Sequence, residues 1–127
     1  MNELPPEPFH YVIPHNPLTL TFSSYGHYLD KDILLSLLQH AYRDASLEIM
    51  AEGPGAYIGP GHHVYTNSAV GIMFYLSAEN LHMCWIFFRE AMEGMRQVVG
   101  HFGGEELEFE VEHHVWGLVA TGAFKGL

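Results

Sequence analysis

From Glu106 to Val115 the chain alternates without a break, with Leu107, Phe109, Val111, His113 and Val115 set against Glu106, Glu108, Glu110, Glu112 and His114. No other stretch narrows the choice of fold as much. A period of two requires a β-strand, because successive side chains point to opposite faces of a sheet. Like charges in a row destabilise a sheet face unless water screens them, so the glutamate face is expected to be solvated. The run is therefore not a paired-carboxylate site of the glycosidase kind.

The other segments are read around this strand. Residues 1–17 hold five of the seven prolines, which remove donors and fix φ, so they form an extended proline-rich arm. Leu18, Leu20 and Phe22 alternate with Thr19, Thr21 and Ser23 as a strand. Asp30 is positioned as an N-cap and Asp32 lies in the first turn of a helix over residues 31–51. Leu34, Leu38, Ala41, Ala45 and Ile49 form its apolar stripe at about 100° per residue, and Gly53-Pro54 stops it. The glycine-rich segment 53–61 has no Gly-Lys-Ser/Thr ending and reads as a connection rather than a phosphate cradle.

His62–Thr66 and Ala69–Leu76 read as a hairpin turning at Asn67-Ser68. Ser77 and Asn80 open a second helix over residues 79–102, striped by Leu81, Cys84, Trp85, Phe88, Met92, Met95 and Val99. It closes with His101 in its last turn and Gly103-Gly104 beyond. Trp116–Phe124 extends the alternating strand or adds another.

Two strand–helix–strand halves predict an α+β fold, a ferredoxin-like βαββαβ sandwich. Its antiparallel sheet carries two helices on one face and has room for an extra C-terminal strand. The 127 residues suffice for one domain, at 18–127, after the arm. Fifteen Asp+Glu against five Lys+Arg give a net charge of −10, which argues against nucleic acid or an anionic membrane as partner. Cys84 stands alone, so neither an intrachain disulfide nor a cysteine-based zinc site is expected. The N-terminus lacks the pattern of a signal peptide and no apolar run is long enough to span a bilayer, so a soluble, cytoplasmic protein is expected.

Ten histidines offer acid–base or metal chemistry. His113, on the apolar side of the alternating strand, is the candidate general base, since desolvation lowers an imidazole's pKa; a core histidine bonded to backbone is the other reading. His62-His63 and His113-His114 raise a metal site with Glu112, but no helical metal-binding spacing accompanies them and no metal is expected. His40, Asp44 and Glu48 form a row along the first helix, read as a solvated edge. Arg89 and Arg96 flank the second stripe and could hold a carboxylate or phenolate. Tyr25, Tyr75, Trp85 and Phe88 could line an apolar cavity or fill an ordinary core.

In Leu18–Gly26 (LTLTFSSYG), Met83–Trp85 and Ala120-Thr121-Gly122, the chain resembles a small family of single-domain fungal proteins, some encoded beside secondary-metabolite enzymes. The resemblance covers residues 18–124. It extends to the cofactor-free cyclase of phenalenone pathways, which performs an intramolecular hydroalkoxylation, and it carries over no functional residue.

The expected function is that of a cofactor-independent cyclase or isomerase acting on a small aromatic, polyketide-like substrate, with no cofactor and as a homodimer. His113 is expected as acid or base, with Arg89 or Tyr75 stabilising a phenolate, and Trp85, Phe88, Tyr25 and His62 as substrate-binding residues. The alternative is a non-catalytic dimeric binding or assembly module.

Overall fold

The computed structural model describes residues 3–127. In chain order the elements are β1 (Phe9–Val12), β2 (Leu18–Ser23), β3 (Tyr28–Leu29), α1 (Lys31–Glu52), β4 (His62–Asn67), β5 (Ile72–Ala78), α2 (Trp85–Phe102), β6 (Gly104–Glu105), β7 (Leu107–His113) and β8 (Gly117–Gly126). The alternating run is β7, strictly buried at Leu107, Phe109, Val111 and His113 and exposed at Glu108, Glu110 and Glu112. It ends at His113. Val115, expected on its apolar face, is 78% exposed in the turn that follows.

The fold is α+β, with six strands in one sheet ordered β1-β2-β7-β8-β5-β4 and β3–β6 as a separate two-stranded ribbon. Every pairing is antiparallel. Leu18, Leu20 and Phe22 of β2, Phe74 and Leu76 of β5, and Phe124 of β8 join the β7 side chains in one core with Leu34, Leu38, Phe88, Met92 and Met95 of the helices. The other sheet face carries the β7 glutamates.

The connectivity departs from the expected ferredoxin-like one in the position of a single strand. In that fold the strand before the first helix lies between the strands that flank the second. Here β8 holds that place, between β7 and β5, and β2 pairs with the outer side of β7. Polarity explains the exchange. Val119, Ala120, Gly122, Ala123 and Phe124 are buried on both faces of β8, as suits an interior strand. β2 keeps Thr19, Thr21 and Ser23 on its outer face. Gly122 makes the central position possible: a Cβ there would lie 2.1 Å from the Tyr75 carbonyl oxygen and 2.3 Å from Phe109 Cζ.

Local signals account for the helix ends. Asp30 caps α1, its carboxylate accepting from Ile33 N at 3.0 Å, and Gly53 N donates to Ile49 O at the other end. α2 starts at Trp85, later than the expected residue 79. Ser77 belongs to β5, and the Asn80 side chain accepts from His82 N and donates to Leu118 O, both at 2.8 Å, so it builds a turn in place of a helix. The first free donors of α2 are met by the glycine–proline connection: Trp85 N donates to Ala56 O at 3.1 Å and Ile86 N to Pro54 O at 3.0 Å. β5 likewise begins after the expected residue 69, because residues 68–71 form the hairpin turn and Gly71 supplies its positive φ of 69°.

Two tethers hold the margins. β1 pairs with β2 from Phe9↔Phe22 to Val12↔Thr19, and Tyr25 Oη donates to Pro5 O at 2.9 Å. The Glu106 carboxylate accepts from His27 N with one oxygen and Gly126 N with the other, each at 3.0 Å, which holds its pKa below the ordinary carboxylate value.

Two glycine-to-alanine changes separate packing from propensity. Gly122→Ala is expected to destabilise the protein by about 2–4 kcal/mol through overpacking. Gly100→Ala, on an open helical position with no atom within 4 Å of the added Cβ, should stabilise it by about 0.5–1 kcal/mol. Urea unfolding of both variants checks the pair.

Candidate functional site

Adjacent residues of a strand face opposite ways, so β4 offers two different surfaces. His62, Val64 and Thr66 lie exposed on the outer face, whereas His63 and Tyr65 are half-buried on the helix side, in register with Leu76 and Phe74. Above them runs the start of α2. The His63 ring meets Trp85 at 5.6 Å and Phe88 at 5.8 Å, and the two α2 rings lie 5.3 Å apart. Arg89, one turn after Trp85, sets its guanidinium 5.8 Å from the centre of the Tyr42 ring of α1.

Polar atoms in this cluster are buried without partners. Among the described residues, four buried side-chain nitrogen or oxygen atoms have no hydrogen-bond partner, and three of them are His63 Nε2, Trp85 Nε1 and Arg89 Nε. Each such group costs about 1–3 kcal/mol, and their concentration on two neighbouring elements makes this cluster the candidate site. An indole N–H and a guanidinium are both donors, and an imidazole nitrogen can accept or donate. Together with the rings of Phe88 and Tyr42 they suit a planar molecule carrying an oxyanion or hydroxyl.

Beside the cluster, burial and the neighbouring Asp44 and Glu48 carboxylates push the Tyr65 phenol well above its ordinary pKa, so it stays protonated. His40 Nε2 lies 3.8 Å from Asp44 Oδ1, with both side chains reached by solvent. Such a pair contributes little; of the row expected as a solvated edge, His40 is exposed, whereas Asp44 and Glu48 are half-buried beside Tyr65.

The other candidates are dispersed. His113 is buried at the end of β7, where its Nδ1 accepts from Val115 N at 3.0 Å and Trp116 N at 3.3 Å. Its ring stacks on Trp116 at 4.2 Å, which stacks in turn on His82 at 4.2 Å. Phe87 covers it at 5.1 Å. Phe87 and Arg89 point about 200° apart around α2. β8 and β5 also separate β7 from β4 by about 14 Å at ~4.8 Å per strand. The expected trio of His113, Arg89 and Tyr75 is therefore not assembled. Tyr75 lies on the outer face against His62, ring to ring at 4.8 Å, and Tyr25 is engaged with the arm. Trp85, Phe88 and Arg89 are brought together, and their companions are His63 and Tyr42.

His63 was legible in principle. Residues 63 and 65 share the face of the buried partner strand, but exposed Val64 makes the opposite parity look apolar. Tyr42 lies beside the α1 stripe and carries no local signal of its role.

Among the described residues, no three His, Cys, Asp or Glu side chains are grouped to hold a metal ion. The raised metal site fails on topology, since its two histidine pairs belong to β4 and to the end of β7. Among the described residues, no helix is long and apolar enough to cross a membrane. The chain matches no protein-family model, and neither the curated proteins nor the solved structures contain a match to it.

The surroundings of His113 give a pH prediction. Burial, with His114 and His82 nearby, lowers its pKa, so the neutral ring stabilises the fold above the ordinary imidazole pKa of about 6.5, and that contribution is lost as pH falls from there towards the folded-state value. Urea unfolding should show a steeper loss of stability between pH 7.5 and 5.5 (about) in the native chain than in His113→Gln. At the higher pH, His113→Ala is expected to cost about 1–3 kcal/mol by stranding two amides.

Proposed function

We propose that the protein is a cofactor-independent cyclase or isomerase whose acid–base site is the cluster of His63, Trp85, Phe88 and Arg89, acting on a small aromatic, polyketide-like phenol. The observation that carries this reading is the set of three buried, unpartnered nitrogens within one cluster of aromatic side chains. His63 takes the acid–base role in it. Its Nε2 accepts the phenol proton, the phenol oxygen adds to an activated alkene carbon of the same molecule, and the proton returns to the neighbouring carbon. Substrate and product are isomers. Arg89 and the Trp85 indole N–H stabilise the oxyanion as it develops, in a site where water does not compete. Proton transfer by one positioned imidazole contributes about 10²–10⁴-fold.

The resemblance to the fungal hydroalkoxylation cyclase supports the reaction class and a role in secondary metabolism, and carries over no functional residue; a cytoplasmic location and a homodimer belong to the same proposal. Electrostatics constrains how two copies would meet. Stacking the outer sheet faces about β7 would oppose two rows of glutamates. The free edges of β1 and β4 present unpaired backbone groups without that penalty.

The test uses 2′-hydroxychalcone, a phenol with an enone in reach. Ring closure should be faster with the native protein than in buffer, and His63→Gln should reduce the acceleration about 100-fold. In a Trp116→Phe background, the emission of Trp85 should change saturably as the phenol is added, and Arg89→Gln should weaken that binding about tenfold. Unchanged closure rates together with unchanged Trp85 emission would remove the proposal.

A further inference from the structure

A concavity lies away from the β4 cluster, where the β3–β6 ribbon meets two helix ends. It has a volume of about 720 Å³ and is lined by Tyr28 and Leu29 of β3, Lys31 at the start of α1, and His101 and Phe102 at the end of α2. The backbone of Gly103 and Gly104 completes the wall. The volume is in the range of small-molecule sites.

Its shape follows from the chain. Gly103 ends α2 with a φ of 96°, and a Cβ added there would meet nothing within 4 Å, so bare backbone borders open space. Gly104 is required for another reason: a Cβ would lie 2.7 Å from Leu29 O, so only glycine lets β6 pair this closely with β3. The ribbon is thereby held across the helix ends and leaves the groove beneath it.

The chemistry of the lining is asymmetric. Phe102 and Leu29 supply an apolar floor, Tyr28 an aromatic rim that is 71% exposed, and Lys31 a fixed positive charge. The neighbouring Asp30 carboxylate is occupied in capping Ile33 N, and no carboxylate among the described residues lies within ion-pair distance of Lys31. Among the described residues, no carboxylate lines the groove, in a chain with fifteen of them.

We infer that this groove is a binding site for an organic anion with a flat or extended apolar body, an aromatic carboxylate being the simplest example, with Lys31 holding the carboxylate and Phe102 and Tyr28 holding the ring. The inference does not depend on the role of the His63–Trp85–Arg89 cluster, and a single titration separates the two sites. In ¹H–¹⁵N spectra of the whole protein titrated with 2-naphthoate, the amides of Gly103 and Gly104 report the groove and the Trp85 indole N–H reports the cluster.

The expected result is a saturable shift of both glycine amides. Lys31→Gln should weaken that binding at least fivefold, and Tyr28→Ala should weaken it as well, with the Trp85 indole response unaltered in each. Both residues are exposed, so neither change threatens the fold. Glycine amides that stay in place while the indole responds would overturn the groove alone, as would a glycine response of undiminished affinity in both variants. A spectrum in which neither reporter moves would overturn it too.

Discussion

The architecture rests on the close approach of the Tyr75 backbone and the Phe109 ring to the β8 backbone at Gly122. β8 can lie between β5 and β7 only because nothing projects from this residue towards the Tyr75 carbonyl and the Phe109 ring. With β8 in place, β5 and β7 are held two strand spacings apart and each turns its apolar side chains to the same face. Both helices then share one core. β2 and β1 extend the sheet on one side and β4 closes it on the other. Without β8 the pieces flanking α2 would have no common partner.

A second constraint positions the candidate site. α2 begins with Cys84 at its N-cap, and Cys84 makes no side-chain capping bond. Carbonyls of the glycine–proline connection cap the helix, at Ala56 and Pro54. The connection follows α1 and leads into β4, so one segment fixes where α2 starts and where β4 runs. His63 and Trp85 meet because their two elements are anchored to the same stretch of chain. Residues 53–61, featureless as a motif, thus fix the geometry of the cluster.

What could be read from the sequence follows the range of the forces involved. The alternation of β7, the capping by Asp30 and the stripe of α1 are local, and each appears in the structure, the alternation as far as His113 and the stripe buried from Leu34 to Ala45 with Ile49 half-buried. The Asn80 turn is local as well, but a side chain that can cap a helix can equally hold a turn, and bonds to His82 N and Leu118 O decided which. The central position of β8 depends on a pairing partner more than 40 residues away in sequence, across Ser77↔Thr121, and alternation says nothing about neighbours. β3 and β6 are two residues each, too short for any period to show. At the site, Trp85, Phe88 and Arg89 were legible as one helical face. His113 was legible as buried, but its two amide donors come from the following turn and are invisible until that turn is built.

The Glu106 carboxylate ties the ribbon to the end of β8. One of its oxygens holds His27, next to the ribbon over the groove, and the other holds Gly126, near the end of β8. Opening of the ribbon and fraying of β8 are therefore linked equilibria. An occupant of the groove that favours the closed ribbon would also slow hydrogen exchange at the end of the central strand, in proportion to its affinity for the closed form.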